Sequence, residues 1–432
     1  MRWLYTLLLY LLSPLVLFRL FRRARKAPAY GERIAERFGF FSARLRRGGI
    51  WVHAVSVGET IAATPMIRAL LERYPDLPIT VTTMTPTGSE QVRALFAMEI
   101  HSGRIFHVYA PYDLPDAVLR FLNRIRPRML IVVETELWPN IIHGCARRHI
   151  PVLLANARLS EKSARGYRRL AAITAPMLRE MTRVVAQNAV DGERFVELGL
   201  PREKLSVTGS VKFDLTVDTV LQQRARDLRE SFGRRPVWIA ASTHTGEDEI
   251  LLAAQRMVLQ ALPDALLILV PRHPERFAVV AGLIEKAELT AQRRSTNTVI
   301  ARDTQVLLGD TMGELLLLLG VADIAFVGGS LIERGGHNML EPAAWGLPII
   351  TGASDFNFRE ISEMLTAAGA LQKCGTHESI ANAVVELFDD PDERARQGDA
   401  ARAVIEANRG ALDKLIAEIR IVLQSVARLP GD

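Results

Sequence analysis

Residues 129–140 read M-L-I-V-V-E-T-E-L-W-P-N: five apolar residues, Met129 to Val133, run straight into two carboxylates, Glu134 and Glu136. A short apolar run of this kind is how a strand buried on both faces reads, and such strands belong to parallel sheets. The pattern recurs from about Ile50. Strand-like runs at Ile50–Ala54, Ile79–Thr83, Val152–Ala155, Val184–Gln187 and Leu205–Thr208 alternate with stretches of helical period such as Thr64–Arg73, Pro115–Arg124 and Ser163–Arg179. This alternation predicts an α/β fold with a doubly wound parallel sheet. A second series, at Val237–Ala241, Leu266–Val270, Val306–Leu308, Ile324–Val327 and Pro348–Thr351, predicts a second such sheet. The polar stretch from Phe213 to Pro236 has no strand-like run and reads as the connection.

The expected organisation is an anchor segment over 1–26, a first Rossmann-like domain over 27–215, a linker over 216–236 and a second Rossmann-like domain over 237–432. Arg394 to Arg420 reads as terminal helices. Two such domains are expected to face a cleft, and ligands of open α/β sheets bind outside the carboxyl ends of the strands. The residues just after each strand are therefore the ones to read for chemistry.

Composition agrees with two well-packed domains: of 432 residues, 49% are hydrophobic and 24% charged, with no signature of disorder. The net charge of +6 is unevenly placed. Residues 1–50 carry eleven Lys/Arg and two Asp/Glu, so the rest of the chain is slightly acidic. A body with no basic excess disfavours nucleic acid as a partner. The two cysteines, Cys145 and Cys374, form no C-x-x-C and suggest a reducing compartment.

The uncharged run Trp3 to Phe18 is followed by Arg19, Arg22, Arg23, Arg25 and Lys26. Sixteen residues are slightly short for a spanning helix, which takes about 20. A signal peptide has its basic residues on the other side and a small-residue cleavage site, which is missing here. An anchor fits better, with Trp3, Tyr5 and Tyr10 at headgroup level and the basic cluster meeting anionic lipid on the cytoplasmic face.

After the first strand comes S-V-G-E, Ser56 to Glu59. Ser56 and Glu59 have the spacing of a capping box, while their position at a strand's carboxyl end suits catalysis; spacing alone leaves both readings open. Glu134 and Glu136 need partners beside a buried strand. Arg158 in N-A-R-L-S and Lys212 in G-S-V-K-F-D are available, either for an ion-pair network or for catalysis. In the second half, Arg272 and His273 of P-R-H-P-E-R-F follow a strand and can reach a phosphate. G-D-T-M-G-E-L, Gly309 to Leu315, marks another helix start. The block F-V-G-G-S-L-I-E-R-G-G-H-N-M-L-E-P, Phe326 to Pro342, offers glycines that curl around an anion, a helix start near Asn338, and Glu341 for a ribose. Together these predict a nucleotide site.

There is no G-x-x-x-x-G-K-[ST] and no G-x-G-x-x-G at the first strand, which disfavours a P-loop kinase or a nicotinamide enzyme. The nine histidines form no close metal-binding spacing, and Asp390-Pro391-Asp392 reads as a helix entry.

H-A-V-S-V-G-E, E-T-E-L-W-P-N, N-A-R-L-S, G-S-V-K-F-D, P-R-H-P-E-R-F, G-D-T-M-G-E-L and G-G-S-L-I-E-R-G-G-H-N-M-L-E-P-A resemble the Kdo (3-deoxy-D-manno-octulosonic acid) transferases of lipopolysaccharide assembly. The resemblance runs from the N-terminal apolar segment to about residue 410, with Met339 standing where the family usually has proline. It implies a GT-B fold, a CMP-Kdo donor, a lipid A precursor (lipid IVA) as acceptor, an inverting transfer, no metal or other cofactor, and an inner-membrane location with the catalytic body on the cytoplasmic side. It also implies residue roles: Glu59 as catalytic base, Glu134 and Lys212 as transition-state stabilisers, and Arg272, His273, Met312, Gly313, Glu314, Asn338, Met339, Leu340 and Glu341 as CMP contacts. A carboxylate with an ordinary pKa of about 4.3 is ionised at neutral pH but weak as a base. A sugar-nucleotide epimerase can share two such domains, but a soluble substrate pair gives no reason for a membrane anchor. A non-catalytic scaffold has no need of Glu59, Glu134 and Lys212.

Overall fold

The computed structural model describes residues 1–25, 27–41, 47–296 and 299–427. The chain forms two compact units, residues 1–214 with 409–432 and residues 215–408. Lys26 of the expected basic cluster lies outside the described residues, as do 428–432.

The first unit holds seven strands: β1 (Ile50–His53), β2 (Ile79–Thr83), β3 (Ile105–Tyr109), β4 (Met129–Val133), β5 (Val152–Ala157), β6 (Arg183–Ala186) and β7 (Leu205–Val207), in the order β3-β2-β1-β4-β5-β6-β7. The second holds β8 (Val237–Thr243), β9 (Leu266–Pro271), β10 (Ala291–Arg293), β11 (Val306–Leu308), β12 (Ile324–Val327), β13 (Ile349–Thr351) and β14 (Leu371–Lys373), in the order β10-β11-β9-β8-β12-β13-β14. Every pairing is parallel. The central strands are buried along their whole length because helices cover both faces, as the unbroken apolar runs of β4 and β12 require. Three strands were not among those expected from the sequence. β3 is I-F-H-V-Y, with a histidine in its middle, and β10 and β14 are three-residue edge strands with exposed polar residues.

Two of the expected boundaries need correction. The stretch 216–236 is no bare linker, since Thr219–Phe232 is a helix of the second unit. Ala225 and Phe232 are buried on one stripe, and Phe232 joins the core against Val237 and Leu319. An amphipathic helix with so narrow an apolar stripe reads as a polar connection. The expected second domain over 237–432 also ends too late. Helix Ala411–Ala427 returns to the first unit, where Leu415, Ile416 and Ile419 pack with Val185 and Val211. Its start is fixed by Asp214, whose carboxylate accepts the N–H groups of Gly410 and Leu412, both at 2.6 Å. Arg183 pairs with Glu418 at 2.7 Å on the same helix. Asp390 accepts the N–H of Glu393 at 2.9 Å at the start of helix Pro391–Asn408, so the D-P-D string is a helix entry.

Candidate active site

In both sheets the strand order reverses direction beside the first strand of the unit, between β1 and β4 and between β8 and β12. Such switch points are where doubly wound sheets bind ligands. The loops after these four strands carry most of the residues singled out in the sequence.

After β1, Ser56 caps helix Val57–Arg73 by accepting the N–H of Glu59 at 3.3 Å. The Glu59 carboxylate turns back on the loop, accepting the N–H of Val55 at 2.7 Å and the hydroxyl of Ser56 at 2.8 Å. The capping geometry is therefore real, and it orients the carboxylate rather than using it up. Burial pushes the Glu59 carboxyl up to about 7, against the Val55 and Ser56 hydrogen bonds, with the charges of Glu136 and Glu134 adding to the rise. The ordinary value expected from sequence is thus wrong for this site. A carboxyl near 7 is a better general base at neutral pH than one near 4.

After β4, Glu134 has φ +61°, an unusual backbone for a residue with a side chain. Its carboxylate lies 3.6 Å from the Lys212 ammonium, which reaches it from the loop after β7. Glu136 accepts the indole N–H of Trp138 at 2.8 Å. Arg158 makes no ion pair with either carboxylate among the described residues, and its carbonyl takes the Thr135 hydroxyl instead. The residue of N-A-R-L-S that does act here is Asn156. It sits at a bulge in β5 with φ +52° and accepts the N–H of Val211, one residue before Lys212, at 3.2 Å. Its buried side-chain amide nitrogen has no partner among the described residues.

In the second unit β8 also ends in a bulge, with Ser242 at φ +60°. Gly328, after β12, packs so close that a Cβ there meets the Ser242 carbonyl oxygen at 2.6 Å. The glycine-rich turn does curl around an anion, but that anion is the protein's own Glu247. This fully buried carboxylate accepts the N–H groups of His244 (3.0 Å), Gly329 (2.7 Å), Ser330 (3.0 Å) and Leu331 (3.0 Å). Those donors are not free for a ligand. The expectation that they cradle the nucleotide is corrected accordingly.

What faces outward is a basic cluster. His244 and His337 meet Nε2 to Nε2 at 2.7 Å with rings nearly parallel at 12°, and the His273 ring centroid lies 5.4 Å from that of His244. Burial, then the charges of His244, Arg272 and His273, brings the His337 imidazole down to about 4, and burial lowers His244 as well. Both rings are neutral at pH 7, one donating and the other accepting. Arg272, whose N–H bonds the Thr243 carbonyl at 3.0 Å, has no carboxylate partner among the described residues, although Glu341 feels its charge. Burial pushes the Glu341 carboxyl up, opposed by the Asn338 side chain and then by Arg272.

Other expected contacts are arranged differently. Met339 and Leu340 have fully buried side chains, so only their backbone can meet a ligand, and the Leu340 N–H is taken by the Asn338 side chain at 3.2 Å. Helix Leu340–Trp345 is only six residues long and starts after Asn338. In the turn after β11, Gly313 has φ +81° and Met312 is exposed, while Glu314 is bound to Arg294 and to the Thr311 hydroxyl. Its carboxylate points at Arg294 rather than into the histidine cluster. Sequence reasoning missed Glu247 and His244. Their signal was T-H-T-G-E after β8, which repeats the Gly-Glu pair that follows β1.

Residues 32–215 match the family model described as 3-deoxy-D-manno-octulosonic-acid transferase (kdotransferase), and residues 234–404 match that of the group 1 glycosyl transferases. The 3-deoxy-D-manno-octulosonic acid transferase of Haemophilus influenzae is 47% identical over 98% of this chain and 99% of its own. That of Bordetella pertussis is 37% identical over 95% and 96%. Among solved structures, the UDP-GlcNAc 2-epimerase of Neisseria meningitidis bound to UDP-GlcNAc superposes with a TM-score of 0.58 at 14% identity, covering 86% of this chain and 99% of that one. That likeness shows the fold alone, two doubly wound domains of the GT-B type. With near-full-length identity of 47% and two matching family models, the chain belongs to the 3-deoxy-D-manno-octulosonic acid transferases, a family of Kdo glycosyltransferases.

Proposed function

We propose that this enzyme transfers Kdo from CMP-Kdo to a lipid A precursor, lipid IVA, with inversion at the ketosidic carbon. The observation that carries the reading is Glu59, a buried carboxyl raised to about 7 at a switch point and beside the Lys212–Glu134 pair. In a single displacement the acceptor hydroxyl loses its proton to the Glu59 carboxylate as its oxygen bonds the ketosidic carbon, and the bond to the CMP phosphate breaks. Glu134 and Lys212 stabilise the charge that develops, Lys212 through its ammonium and Glu134 by holding that ammonium in place and facing the oxocarbenium-like sugar. The chain's own groups supply this chemistry, and the reading calls for no cofactor.

On the donor side, Arg272 and His273 hold the CMP phosphate and Glu341, oriented by Asn338, takes the ribose hydroxyls, with Met312, Gly313, Glu314, Met339 and Leu340 completing the pocket largely through backbone. The first unit then binds the acceptor and the second the donor. On this reading the protein lies at the inner membrane with its body on the cytoplasmic side; helix Arg2–Ala24, with Trp3, Leu7, Leu11, Leu15 and Phe18 exposed, supports the membrane association, and Arg19, Arg22, Arg23 and Arg25 after the apolar run support the orientation. The test is release of CMP from CMP-Kdo by the purified protein with lipid IVA in detergent, with the glycolipid product weighed by mass spectrometry. No CMP release, or release without a heavier lipid, overturns the reading.

A further inference from the structure

The N-terminal helix is fastened to the first unit along one edge. Arg2 donates to the Asn140 side chain at 3.0 Å, Tyr5 to the Asp113 carboxylate at 2.9 Å, Thr6 to Asn140 at 3.2 Å and Tyr10 to Asp116 at 2.6 Å. Asp113 is buried and also accepts the N–H groups of Asn140 and Ile141 at the start of helix Pro139–Ala146. A helix that served only as a tether has no need of four polar contacts to the body in its first three turns.

Beside this seam the helix and the body enclose a groove of about 320 Å³, within the range of small-molecule sites. Leu9, Ser13 and Val16 line it from the helix, and Met84, Tyr112 and Trp138 from the body. The three body residues follow β2, β3 and β4, so the groove runs along the edge of the sheet that carries Glu59. The Met84 N–H bonds the Val55 carbonyl at 3.0 Å, the Val55 N–H bonds Glu59, and the Trp138 ring lies 5.6 Å from that of His53, the last residue of β1. Three polar groups on the wall are already engaged, Tyr5 with Asp113, Ser13 with the Tyr10 carbonyl and Trp138 with Glu136, which leaves the Tyr112 hydroxyl to meet a ligand. A ligand there meets hydrocarbon and aromatic surface. Behind Met84 and Tyr112 lies Arg37, 2% exposed, donating to the Met84 carbonyl at 3.0 Å and stacked over Tyr109 at 4.2 Å, with no carboxylate partner among the described residues. Arg37 does not itself line the groove, but a charge with no carboxylate partner so close behind the wall favours an anionic group near Met84 and Tyr112.

A largely apolar channel walled by a helix whose other side is apolar and exposed, with a buried arginine behind it and a lining residue, Met84, bonded to the Glu59 loop, fits an anionic lipid. We propose that the groove holds an acyl chain of the phosphorylated lipid acceptor, making the N-terminal helix one wall of the acceptor site. The proposal rests on the reading of the acceptor as a lipid. Each methylene buried there strengthens binding about four-fold.

The test uses the full chain with an acylated, phosphorylated glucosamine disaccharide bearing a diazirine in one acyl chain. Photolabel is expected on peptides that contain Leu9 to Val16 and Tyr112 to Trp138. Leu9→Trp, which fills the groove from the helix side, is expected to lower kcat/KM for the unlabelled acceptor at least 10-fold and to remove that label. CMP affinity and flotation with vesicles should stay within two-fold, showing that the variant is folded and still membrane-bound. Label elsewhere in the protein, or an unchanged kcat/KM in Leu9→Trp, overturns the proposal. Absence of transfer to the acylated acceptor by the unmodified protein overturns the lipid-acceptor reading itself, and this proposal with it.

Discussion

The carboxylate of Glu247 accepts the N–H of Gly329 at 2.7 Å, joining the end of β8 to the turn after β12 at the switch point of the second sheet. With three further backbone N–H groups on the same carboxylate, Glu247 holds the glycine-rich turn in the shape that presents His337 and Asn338. Glu247→Gln sets an amide NH2 against backbone donors. Each buried group left unsatisfied costs about 1–3 kcal/mol, which lowers Tm by about 5–10 °C in a unit of this size. CMP affinity should fall at least 10-fold by calorimetry. A variant with the parent's Tm and affinity shows that the turn holds its shape without this carboxylate.

Glu59 both faces the loop and carries a carboxyl near 7. Glu59→Gln should lower turnover by about 10²–10⁴-fold. The folded carboxyl titrates above its unfolded value of 4.5, so its ionisation lowers stability as pH rises from about 4.5 to 7, and that loss is complete above 7. At pH 8 the amide variant should therefore melt no lower than the parent. A clear drop in Tm with normal turnover per folded molecule would return Glu59 to a purely structural role.

The same group sets a pH profile. Activity should rise through about pH 7 as Glu59 ionises. The Ser56 hydroxyl favours the ionised form, so Ser56→Ala should move the rise to higher pH and cost about 1 kcal/mol of stability through the lost helix cap. A profile in Ser56→Ala that coincides with the parent's contradicts the assignment of the limb to Glu59.

Lys212 and Glu134 are both partly exposed at 3.6 Å, and such pairs stabilise a fold by only about 0–1 kcal/mol. Lys212→Met should leave Tm nearly unchanged while lowering kcat by about 100-fold or more, with Glu134→Gln similar and the double variant no worse than the worse single one. Additive losses from the two substitutions show that they act separately.

Arg272→Ala should weaken CMP by about 10- to 150-fold, the loss of a charge-assisted contact of about 1.5–3 kcal/mol, and should spare cytidine, which has no phosphate. Glu341→Ala should weaken both. Calorimetry without lipid separates the two. Equal losses for both ligands in Arg272→Ala contradict the phosphate assignment.

The central strands were legible because strands buried on both faces read as short apolar or β-branched runs, and Ile79–Thr83, Met129–Val133, Val306–Leu308 and Ile324–Val327 match the structure to the residue. The edge strands β3, β10 and β14 were not, since their pairing depends on neighbours distant in sequence, whereas the edge strand β7 was. The loops after β1 and β4 could be located from strand ends, but the value near 7 at Glu59 could not, because it comes from how deeply the carboxyl is buried. Three of the second unit's histidines, His244, His273 and His337, lie 29 and 64 residues apart in sequence, and only the sheet order brings them together. Glu247 was hidden for another reason: a glycine-rich turn shows its empty N–H groups in sequence but not which anion fills them.

The return of helix Ala411–Ala427 to the first unit makes the order of synthesis matter. The second unit is continuous, so it leaves the ribosome complete while the first still lacks the helix that covers Val185 and Val211. At about 5–20 residues per second, the intervening stretch of about 200 residues holds that apolar face open for roughly 10–40 s. During this interval the nascent first unit is the part exposed to aggregation and to chaperones. A stop codon shortly before residue 411 damages the half of the protein whose strands were made first.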